Sequence, residues 1–245
     1  MKPTARKIRY STKQSALLVD HPIPDIDNDP LFSQIFNAAR PYSMTAKSAM
    51  FALYSAMNYV LDQNISGDFV ECGVWRGGSS LLAGLILKKR GVTNRSLYLY
   101  DTFQGMTEPT KHDVDKNGTS AHSMMEKFSD ENGWCYASVE DVTQTFRQQN
   151  FQFPVNLIKG DVLKTIPKKQ PKNISILRLD TDWYESTKCE LENLYPKLSK
   201  GGVLIIDDYG HWAGARKAVD EYFLEVNAPL LIRINEDVRL AIKLN

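Results

Sequence analysis

The sequence lacks the features that would place it outside the soluble globular proteins. It has no CxxC pair, and Cys72, Cys135 and Cys189 are scattered, so neither a zinc site nor a disulfide framework is indicated. No apolar run approaches the ~18–20 residues that cross a bilayer, and residues 1–14 contain no hydrophobic signal core. Lys and Arg number 30 against 29 Asp and Glu, which leaves no charge excess for nucleic acid or an anionic membrane. We therefore expect a cytoplasmic protein that binds no nucleic acid and does not insert into membranes.

The length of the chain indicates one domain with extensions, because two domains within 245 residues would each be small. Residues 1–30 are basic at first, then acidic with several prolines, and they predict an N-terminal arm. Residues 31–67 have apolar positions at helical spacing, and Thr45 is placed to cap the second of two helices in this helical cap. We expect residues 31–245 to form one domain, and the arm and helices to offer surfaces for a homo-oligomer.

Beyond residue 67, short apolar runs alternate with helical stretches. This alternation predicts an α/β fold with a doubly wound and mostly parallel sheet. The last run, residues 229–244, predicts a hairpin around Asn235-Glu236-Asp237 that adds an antiparallel edge. The predicted strands are residues 68–74, 96–101, 155–161, 174–180 and 201–208, and the predicted helices between them are residues 77–90, 138–149, 186–198 and 212–226.

Residues 103–137 are the one long stretch without helical or strand periodicity. A segment of this length inside a compact domain is usually functional or disordered. It follows a predicted strand at its carboxyl end, where open α/β sheets bind their ligands. We therefore expect this lid segment, residues 103–137, to be an insertion over the site, with a tolerated surface insertion as the alternative.

The segment from Glu71 to Ser80, ECGVWRGGSS, has the composition of a ligand-binding turn between a strand and a helix. Glycine lets a ligand approach the backbone, and the amino end of a helix offers free N–H groups. Trp75 stands where a dinucleotide motif has its second glycine, which argues against a nicotinamide cofactor. Glu71 at the strand end suits a cationic group, such as the amino end of S-adenosylmethionine. An ordinary tight turn accounts for the same residues.

Two further acids follow predicted strands. Asp101 ends the second strand, where an acid commonly binds the ribose hydroxyls of an adenosine cofactor. Nicotinamide enzymes and methyltransferases share this feature, so it indicates adenosine without choosing the chemistry. Asp161 follows the third strand, and it is a candidate either for binding the adenine amino group or for capping a helix before Leu163.

Four carboxylates form the strongest motif. Asp180 and Asp182 end one predicted strand, and Asp207 and Asp208 end the next. Acids gathered at one edge of a sheet repel each other unless a cation lies among them. Ligation by carboxylates alone indicates Mg²⁺ or Ca²⁺ rather than zinc. Helix capping is a plausible alternative for single members of this group, but it does not explain all four. His211 follows the acid pair and is a candidate base or an ordinary loop histidine.

Four blocks of sequence, taken together, resemble one family. They are GDFVECGVWRGGSS, LYDTFQGM, LRLDTDWYEST and IDDYGHWAGARKAVDEYF. In this order and spacing they resemble the macrocin O-methyltransferase (TylF/MycF-like) family, and the resemblance runs from about Pro41 to Asn245. It implies a class I methyltransferase with a Rossmann-like sheet. It also implies methylation of a sugar hydroxyl on a small-molecule glycoside or glycan, with S-adenosylmethionine and Mg²⁺ as cofactors.

The resemblance also implies roles for individual residues. Asp180, Asp207 and Asp208 match the metal-binding acids of the family, and Asp182 matches its general base. Asp161 stands where the family often has an aromatic residue after the glycine, so the sequence departs from the family's pattern on the adenine side. The positions that match its cofactor-binding residues are Thr45, Glu71, Gly73, Ser79, Asp101 and, more weakly, Ser138.

Three other functions fit part of the pattern. A nicotinamide-dependent oxidoreductase has a similar sheet, but its glycine motif is missing and the acids would have no role. A metal-dependent hydrolase would use the acids and leave Glu71 and Asp101 unexplained. A non-catalytic cofactor-binding relative would have no need of an intact group of four acids.

Overall fold

The computed structural model describes residues 22–128 and 133–245, which fold around a seven-stranded sheet. In chain order the strands are β1 (Asp68–Cys72), β2 (Leu97–Asp101), β3 (Val155–Lys159), β4 (Ile174–Leu179), β5 (Leu198–Ile206), β6 (Ile232–Arg233) and β7 (Arg239–Ile242). They lie in the order β3-β2-β1-β4-β5-β7-β6. Strands β1 to β5 are parallel, and β7 is antiparallel to both of its neighbours. The predicted sheet, including its antiparallel hairpin, is confirmed.

Helices pack on both faces of this sheet. They are α1 (Pro24–Asp27), α2 (Pro30–Ala39), α3 (Lys47–Asp62), α4 (Gly78–Lys89), α5 (Ala121–Phe128), α6 (Val139–Arg147), α7 (Val162–Thr165), α8 (Tyr184–Leu194) and α9 (Ala213–Glu225). Among the described residues, none of these helices combines the length and the apolar character needed to cross a membrane. The strand order reverses between β1 and β4, and this reversal opens a crevice at the carboxyl ends of the strands.

Alternate residues of the strands point into two cores, as the two-residue period of a strand requires. In β4, Ile176 belongs to the core that also contains side chains of α2, α3, α4 and α6. Its neighbour Leu177 belongs to the core that contains side chains of α7, α8 and α9. Both faces of the central strands are therefore buried, and the polar residues that follow the strands are left to face the crevice.

The structure describes part of the predicted N-terminal arm and corrects the role predicted for Thr45. Residues 1–21 of the predicted arm lie outside the described residues, but residues 24–27 form the helical turn α1, whose Ile26 packs into the core. The cap predicted at Thr45 is wrong, because Ala46 is the N-cap of α3 and no side chain caps that helix. Thr45 makes its hydrogen bonds inside the crevice instead.

The lid segment is more ordered than its lack of periodicity suggests. It contains α5 and an antiparallel bridge between Val114 and Ser120, although residues 129–132 are not described. A second bridge joins Asp115 to Trp212 in the loop between β5 and α9. These pairings hold the segment against the carboxyl edge of the sheet.

Candidate active site

Three acids at the ends of β4 and β5 lie side by side. One carboxylate oxygen from each of Asp180, Asp207 and Asp208 is within 4.8 Å of the others. The Asp180 N–H donates to the carbonyl of Cys72 at 2.8 Å, and the Asp207 N–H donates to that of Leu179 at 2.9 Å. The backbone hydrogen bonds between neighbouring strands thus extend to Asp180 and Asp207 and fix their positions. The structure brings the three residues predicted as metal ligands together.

A buried arginine, which the sequence analysis did not single out, ties these acids to β1. Arg178 lies on β4 and is 2% exposed. Its Nη1 donates to Glu71 Oε1 at 2.8 Å and to Asp180 Oδ2 at 2.5 Å, and its Nη2 donates to Asp207 Oδ1 at 2.7 Å. Burial raises the pKa of Glu71, and the charge of Arg178 opposes that rise. The planar guanidinium, with its several donors, can hold three carboxylates at once.

Thr45 and Ser79 extend the hydrogen-bonded group of Arg178 and the acids towards helices α3 and α4. Thr45 Oγ1 accepts a hydrogen bond from Arg178 Nη2 at 2.9 Å and lies 3.3 Å from Ser79 Oγ. The second oxygen of Glu71 accepts a hydrogen bond from the Ser80 hydroxyl. Both oxygens of Glu71 therefore have partners within the protein, and its contact with a cationic cofactor stays a prediction.

Asp101 stabilises the turn between β1 and α4 through hydrogen bonds to the backbone. Its Oδ2 accepts the backbone N–H groups of Val74 at 2.7 Å and Trp75 at 2.8 Å, and its Oδ1 accepts that of Phe103 at 2.6 Å. In the same turn, a Cβ at Gly73 would lie 1.7 Å from the carbonyl oxygen of Asp180. Only glycine lets the ends of β1 and β4 approach this closely. The ribose-binding role predicted for Asp101 would be a second role beside these structural hydrogen bonds.

Asp161 and Ser138 act as helix caps. Asp161 Oδ1 accepts the backbone N–H of Leu163 at 3.0 Å and caps α7, which was the structural alternative left open by the sequence. Ser138 Oγ accepts the N–H of Asp141 at 3.1 Å and caps α6. Neither residue lines the two cavities described below. Their contacts with a cofactor stay predictions.

Asp182 has an unusual backbone and a well-defined set of neighbours. Its φ of 68° lies in the left-handed region, which residues other than glycine seldom adopt. Its N–H donates to Asp208 Oδ2 at 3.1 Å, and its Oδ1 accepts the indole N–H of Trp212 at 2.6 Å. Burial, followed by the charge of Asp180, raises the pKa of Asp182 to about 8. These contacts aim the carboxylate at the crevice.

Two adjoining cavities, of about 100 Å³ and about 300 Å³, occupy the crevice. The smaller is lined by Gly73 and Asp101, and the larger by Glu71, Arg178 and the three acids. The walls shared by both cavities are Met44, Trp75, Cys135, Asp180 and Asp182. The arrangement can receive one ligand beside β1 and β2 and a second ligand beside the acids, with Asp182 between them.

A buried acid anchors the lid segment to the helix that follows Asp182. Asp113 is fully buried, and its Oδ1 accepts the N–H of Tyr184, the first residue of α8, at 2.8 Å. Its Oδ2 accepts the N–H of Thr110 at 2.6 Å. A Cβ at Gly214 would lie 2.0 Å from Asp113 Oδ1, so α9 leaves room for this carboxylate only because residue 214 is glycine.

Three tryptophans pack together where the lid segment meets the site. Trp183 and Trp212 have ring centroids 4.9 Å apart, and Trp134 of the lid segment lies 5.8 Å and 6.0 Å from them. Trp183 Nε1 donates to the carbonyl of Thr107 at 2.9 Å. Trp183 and Trp212 are each 2% exposed, and both Trp134 and Trp212 line the larger cavity.

His211 lies at the other side of the larger cavity. Its Nδ1 is 4.0 Å from Asp237 Oδ1, and its ring packs against Trp212. Lys116 of the lid segment pairs with Glu236 at 3.1 Å and with Asp237 at 3.2 Å, so it joins the lid segment to the β6–β7 turn. His211 is a wall residue of the site, and its role as a base stays a prediction.

The buried Glu190 of α8 should make the stability of the folded protein depend on pH. It is fully buried, its Oε1 accepts the hydroxyl of Thr181 at 2.8 Å, and its Oε2 has no hydrogen-bond partner. Burial raises its pKa from 4.5 to about 8. The folded protein therefore holds this proton more tightly than the unfolded chain, so the stability due to this group falls as the pH rises from 4.5 to 8. Because of this group, the free energy of unfolding of the wild type should fall by about 2–3 kcal/mol between pH 6 and pH 8. We expect this fall to be absent in Glu190→Gln.

Urea unfolding of the wild type and Glu190→Gln at both pH values measures this difference. Glu192→Gln, which changes an exposed glutamate of the same helix, serves as the control and should keep the pH dependence of the wild type. Parallel pH curves for the wild type and Glu190→Gln would contradict the prediction.

The sheet, with five parallel strands and an antiparallel β7 beside β5, has the fold of the class I methyltransferases. A sequence model of the Macrocin-O-methyltransferase (TylF) family matches residues 35–236, which is most of the chain. The chain belongs to this family, and it is an S-adenosylmethionine-dependent O-methyltransferase. The oxidoreductase, hydrolase and non-catalytic alternatives therefore lose their support.

Known proteins agree with this assignment. Demethyldecarbamoylnovobiocin O-methyltransferase of Streptomyces niveus is 34% identical over 201 residues, which cover 81% of this chain and 74% of that protein. The 8-demethyl-8-(2,3-dimethoxy-alpha-L-rhamnosyl)-tetracenomycin-C 4'-O-methyltransferase of Streptomyces olivaceus is 35% identical over 184 residues, covering 74% and 67%. The solved structure of the O-methyltransferase NovP has a TM-score of 0.73 and 31% identity, and the match covers 83% of both chains.

Proposed function

We propose that this enzyme methylates a hydroxyl group of a sugar on a small-molecule glycoside or glycan, with the help of Mg²⁺. The observation that carries the proposal is the meeting of Asp180, Asp207 and Asp208 beside Asp182 in the larger cavity. The names of the similar proteins support the acceptor class, since they describe O-methylation of glycosylated natural products. The cytoplasmic location, self-association and lack of nucleic-acid binding expected from the sequence stay predictions.

The acid group fits a hard divalent cation. Arg178 binds one oxygen of Asp180 and one of Asp207, so each of these carboxylates keeps a second oxygen for another partner. Burial raises the pKa of Asp180 and Asp208, and the charges of the neighbouring acids raise both further, so a cation among these acids would be favourable. Oxygen ligands from carboxylates are those that Mg²⁺ prefers. Asp180, Asp207 and Asp208 would hold the ion.

The residues of the smaller cavity fit the adenosine cofactor. Asp101 lines this cavity at the end of β2, where an acid can bind ribose hydroxyls, and Gly73 lies beside it. Glu71, Thr45 and Ser79 line the larger cavity next to Asp180 and would face the amino-acid end. Asp161 and Ser138 would act from the adenine side, through the helices that they cap.

The chain's own residues have distinct tasks in this proposal. When bound, S-adenosylmethionine supplies the methyl group and Mg²⁺ lowers the pKa of the acceptor hydroxyl. Asp182 accepts the proton of that hydroxyl at its carboxylate. Arg178 keeps the acids in place, and the lid segment limits the access of water and orients the acceptor. Correct placement of reacting groups is worth up to about 7–11 kcal/mol of the barrier, so this positioning is a large part of catalysis.

A labelled-methyl transfer screen tests the function. The panel comprises macrolide and aminocoumarin glycosides, lipopolysaccharide sugars and capsule glycans, each with labelled S-adenosylmethionine, with Mg²⁺ or with excess EDTA. We expect label on a sugar hydroxyl of at least one acceptor, and its loss in EDTA. Label on an aglycone hydroxyl alone would contradict the acceptor class, and full activity in EDTA would contradict the metal.

Metal binding can be measured without any acceptor. We expect Mg²⁺ alone to stabilise the wild type by about 2.7 kcal/mol at a hundredfold excess over Kd, and to leave Asp208→Asn unaffected. Thermal unfolding with and without MgCl₂ reports this difference. Asp62→Asn, which changes an exposed acid paired with Arg90, is the control and should respond like the wild type. Equal stabilisation of Asp208→Asn would place the ion elsewhere.

A further inference from the structure

The indole of Trp212 is the neighbour that fixes the side chain of Asp182. Its Nε1–H donates to Asp182 Oδ1 at 2.6 Å, which is short for an N–H donor. The indole is 2% exposed, so water has little access to compete for this bond. The indole thus fixes Oδ1 of Asp182, and the Asp182 side chain also has a hydrogen-bond contact with that of Asp208.

Trp212 is itself held from several directions. Its backbone N–H donates to the carbonyl of Asp208 at 3.0 Å, and its backbone pairs with that of Asp115 in the lid segment. Its ring packs against those of Trp183, Trp134 and His211. A donor fixed on three sides can hold a carboxylate in one orientation, whereas a donor on a mobile loop cannot.

The backbone of Asp182 makes such a support necessary. A φ of 68° is strained for aspartate and persists only where the surroundings determine it. The Asp182 N–H bond to Asp208 and the indole bond to its carboxylate supply this support from the loop after β5. We propose that Trp212 is a positioning residue that orients the Asp182 carboxylate for proton transfer and couples it to the lid segment. This inference rests on the proposed role of Asp182 as the base.

Two tryptophan variants form a matched pair for the test. Trp212→Phe and Trp183→Phe each remove one indole N–H from a buried ring of the same cluster and keep an aromatic side chain. Only Trp212→Phe takes the hydrogen bond from Asp182, because Trp183 donates to the carbonyl of Thr107. We expect Trp212→Phe to lower kcat by about 10- to 100-fold, the usual cost of losing a group that orients a site residue. Trp183→Phe loses its bond to the lid segment but leaves the Asp182 bond intact, so it should lose less kcat than Trp212→Phe.

The kinetics use the glycoside that gives the most labelled product in the methyl-transfer screen. In Trp212→Phe the loss should fall on kcat more than on the acceptor KM, although Trp212 lines the larger cavity. The Kd of S-adenosylmethionine should stay near the wild-type value, because Trp212 does not line the smaller cavity. Trp212→Phe should cause no further loss in an Asp182→Asn background. Equal kcat for the two tryptophan variants, or full additivity with Asp182→Asn, would overturn the positioning role.

An NMR measurement separates this inference from the proposed function. The chain has four tryptophans and hence four indole N–H signals, and Trp212→Phe identifies the signal of Trp212. Asp182→Ala, which removes the oxygen that accepts the indole N–H, should shift that signal more than the other three, in enzyme without glycoside or metal. An unchanged Trp212 signal would show that the bond is absent and would overturn the inference. A shifted signal together with an active Asp182→Asn enzyme would instead refute the base assignment, and with it the catalytic part of this inference.

Discussion

Asp182→Asn is expected to lose about 10²- to 10⁴-fold in kcat, the range that a positioned general base contributes. Asparagine has nearly the same shape, tolerates a positive φ better than most residues, and its Oδ1 can still accept the Trp212 N–H. The change therefore removes the proton acceptor with little effect on the loop. The Kd of S-adenosylmethionine should stay close to that of the wild type, and calorimetry can measure it beside the methyl-transfer rate.

The variant Asp62→Asn makes the same chemical change at an exposed acid of α3 and should retain full activity. A wild-type kcat for Asp182→Asn would assign proton transfer to another group. His211, which lines the same cavity, would be the first residue to examine.

Arg178→Met is expected to lower the free energy of unfolding by about 3–5 kcal/mol, because removal of one partner leaves buried charge without compensation. The guanidinium lies among Glu71, Asp180 and Asp207, and Glu71 is 1% exposed. Methionine fills a similar volume but makes none of the hydrogen bonds. Urea unfolding at neutral pH measures the loss.

The double variant Arg178→Met/Glu71→Gln separates lost charge compensation from lost packing. Glutamine needs no counter-charge, so we expect the double variant to be more stable than Arg178→Met alone. Arg95→Met is the control, since Arg95 donates to the backbone carbonyls of Ile65 and Gly67 and should cost only about 1–2 kcal/mol. A similar loss for both single variants would show that the acids do not depend on Arg178.

The strands, and the acids at the carboxyl edge of the sheet, were predictable from the sequence because both depend on short-range patterns. Each of the parallel strands β1 to β5 is an apolar run, and the acids follow these runs directly, so the parallel order alone brings Asp180 and Asp207 to one edge. The predicted strands at this edge extend one or two residues too far, since Asp180, Asp207 and Asp208 lie just beyond the hydrogen-bonded strands.

Arg178 was missed although its signal is in the sequence. It is the charged residue in ISILRLD, a strand that is buried on both faces. A charge at such a position must have a partner of opposite sign, and the neighbouring acids are the only group that the predicted sheet brings near it. An arginine inside an otherwise apolar strand therefore predicts an ion pair with the acids at the end of that strand.

Thr45 and the lid segment show what local patterns leave out. Threonine before a helical run favours capping, but the contact of Thr45 with Arg178 joins residues that are far apart in the chain. The helix α5 comes from the eight residues AHSMMEKF, and its Ala121 packs with Trp183 and Trp212, which are far from it in the chain. Such contacts are tertiary, so no short window of sequence contains them.

The close fit of Gly214 against Asp113 has a consequence for engineering the enzyme. A chimera that receives the lid segment of a relative keeps the hydrogen bond to the first N–H of α8 only if it also keeps an acid at position 113 and glycine at position 214. A graft that begins after Asp113 leaves this anchor in place. The lid segment after Asp113 can thus be exchanged while the loop that carries Asp182 stays unchanged.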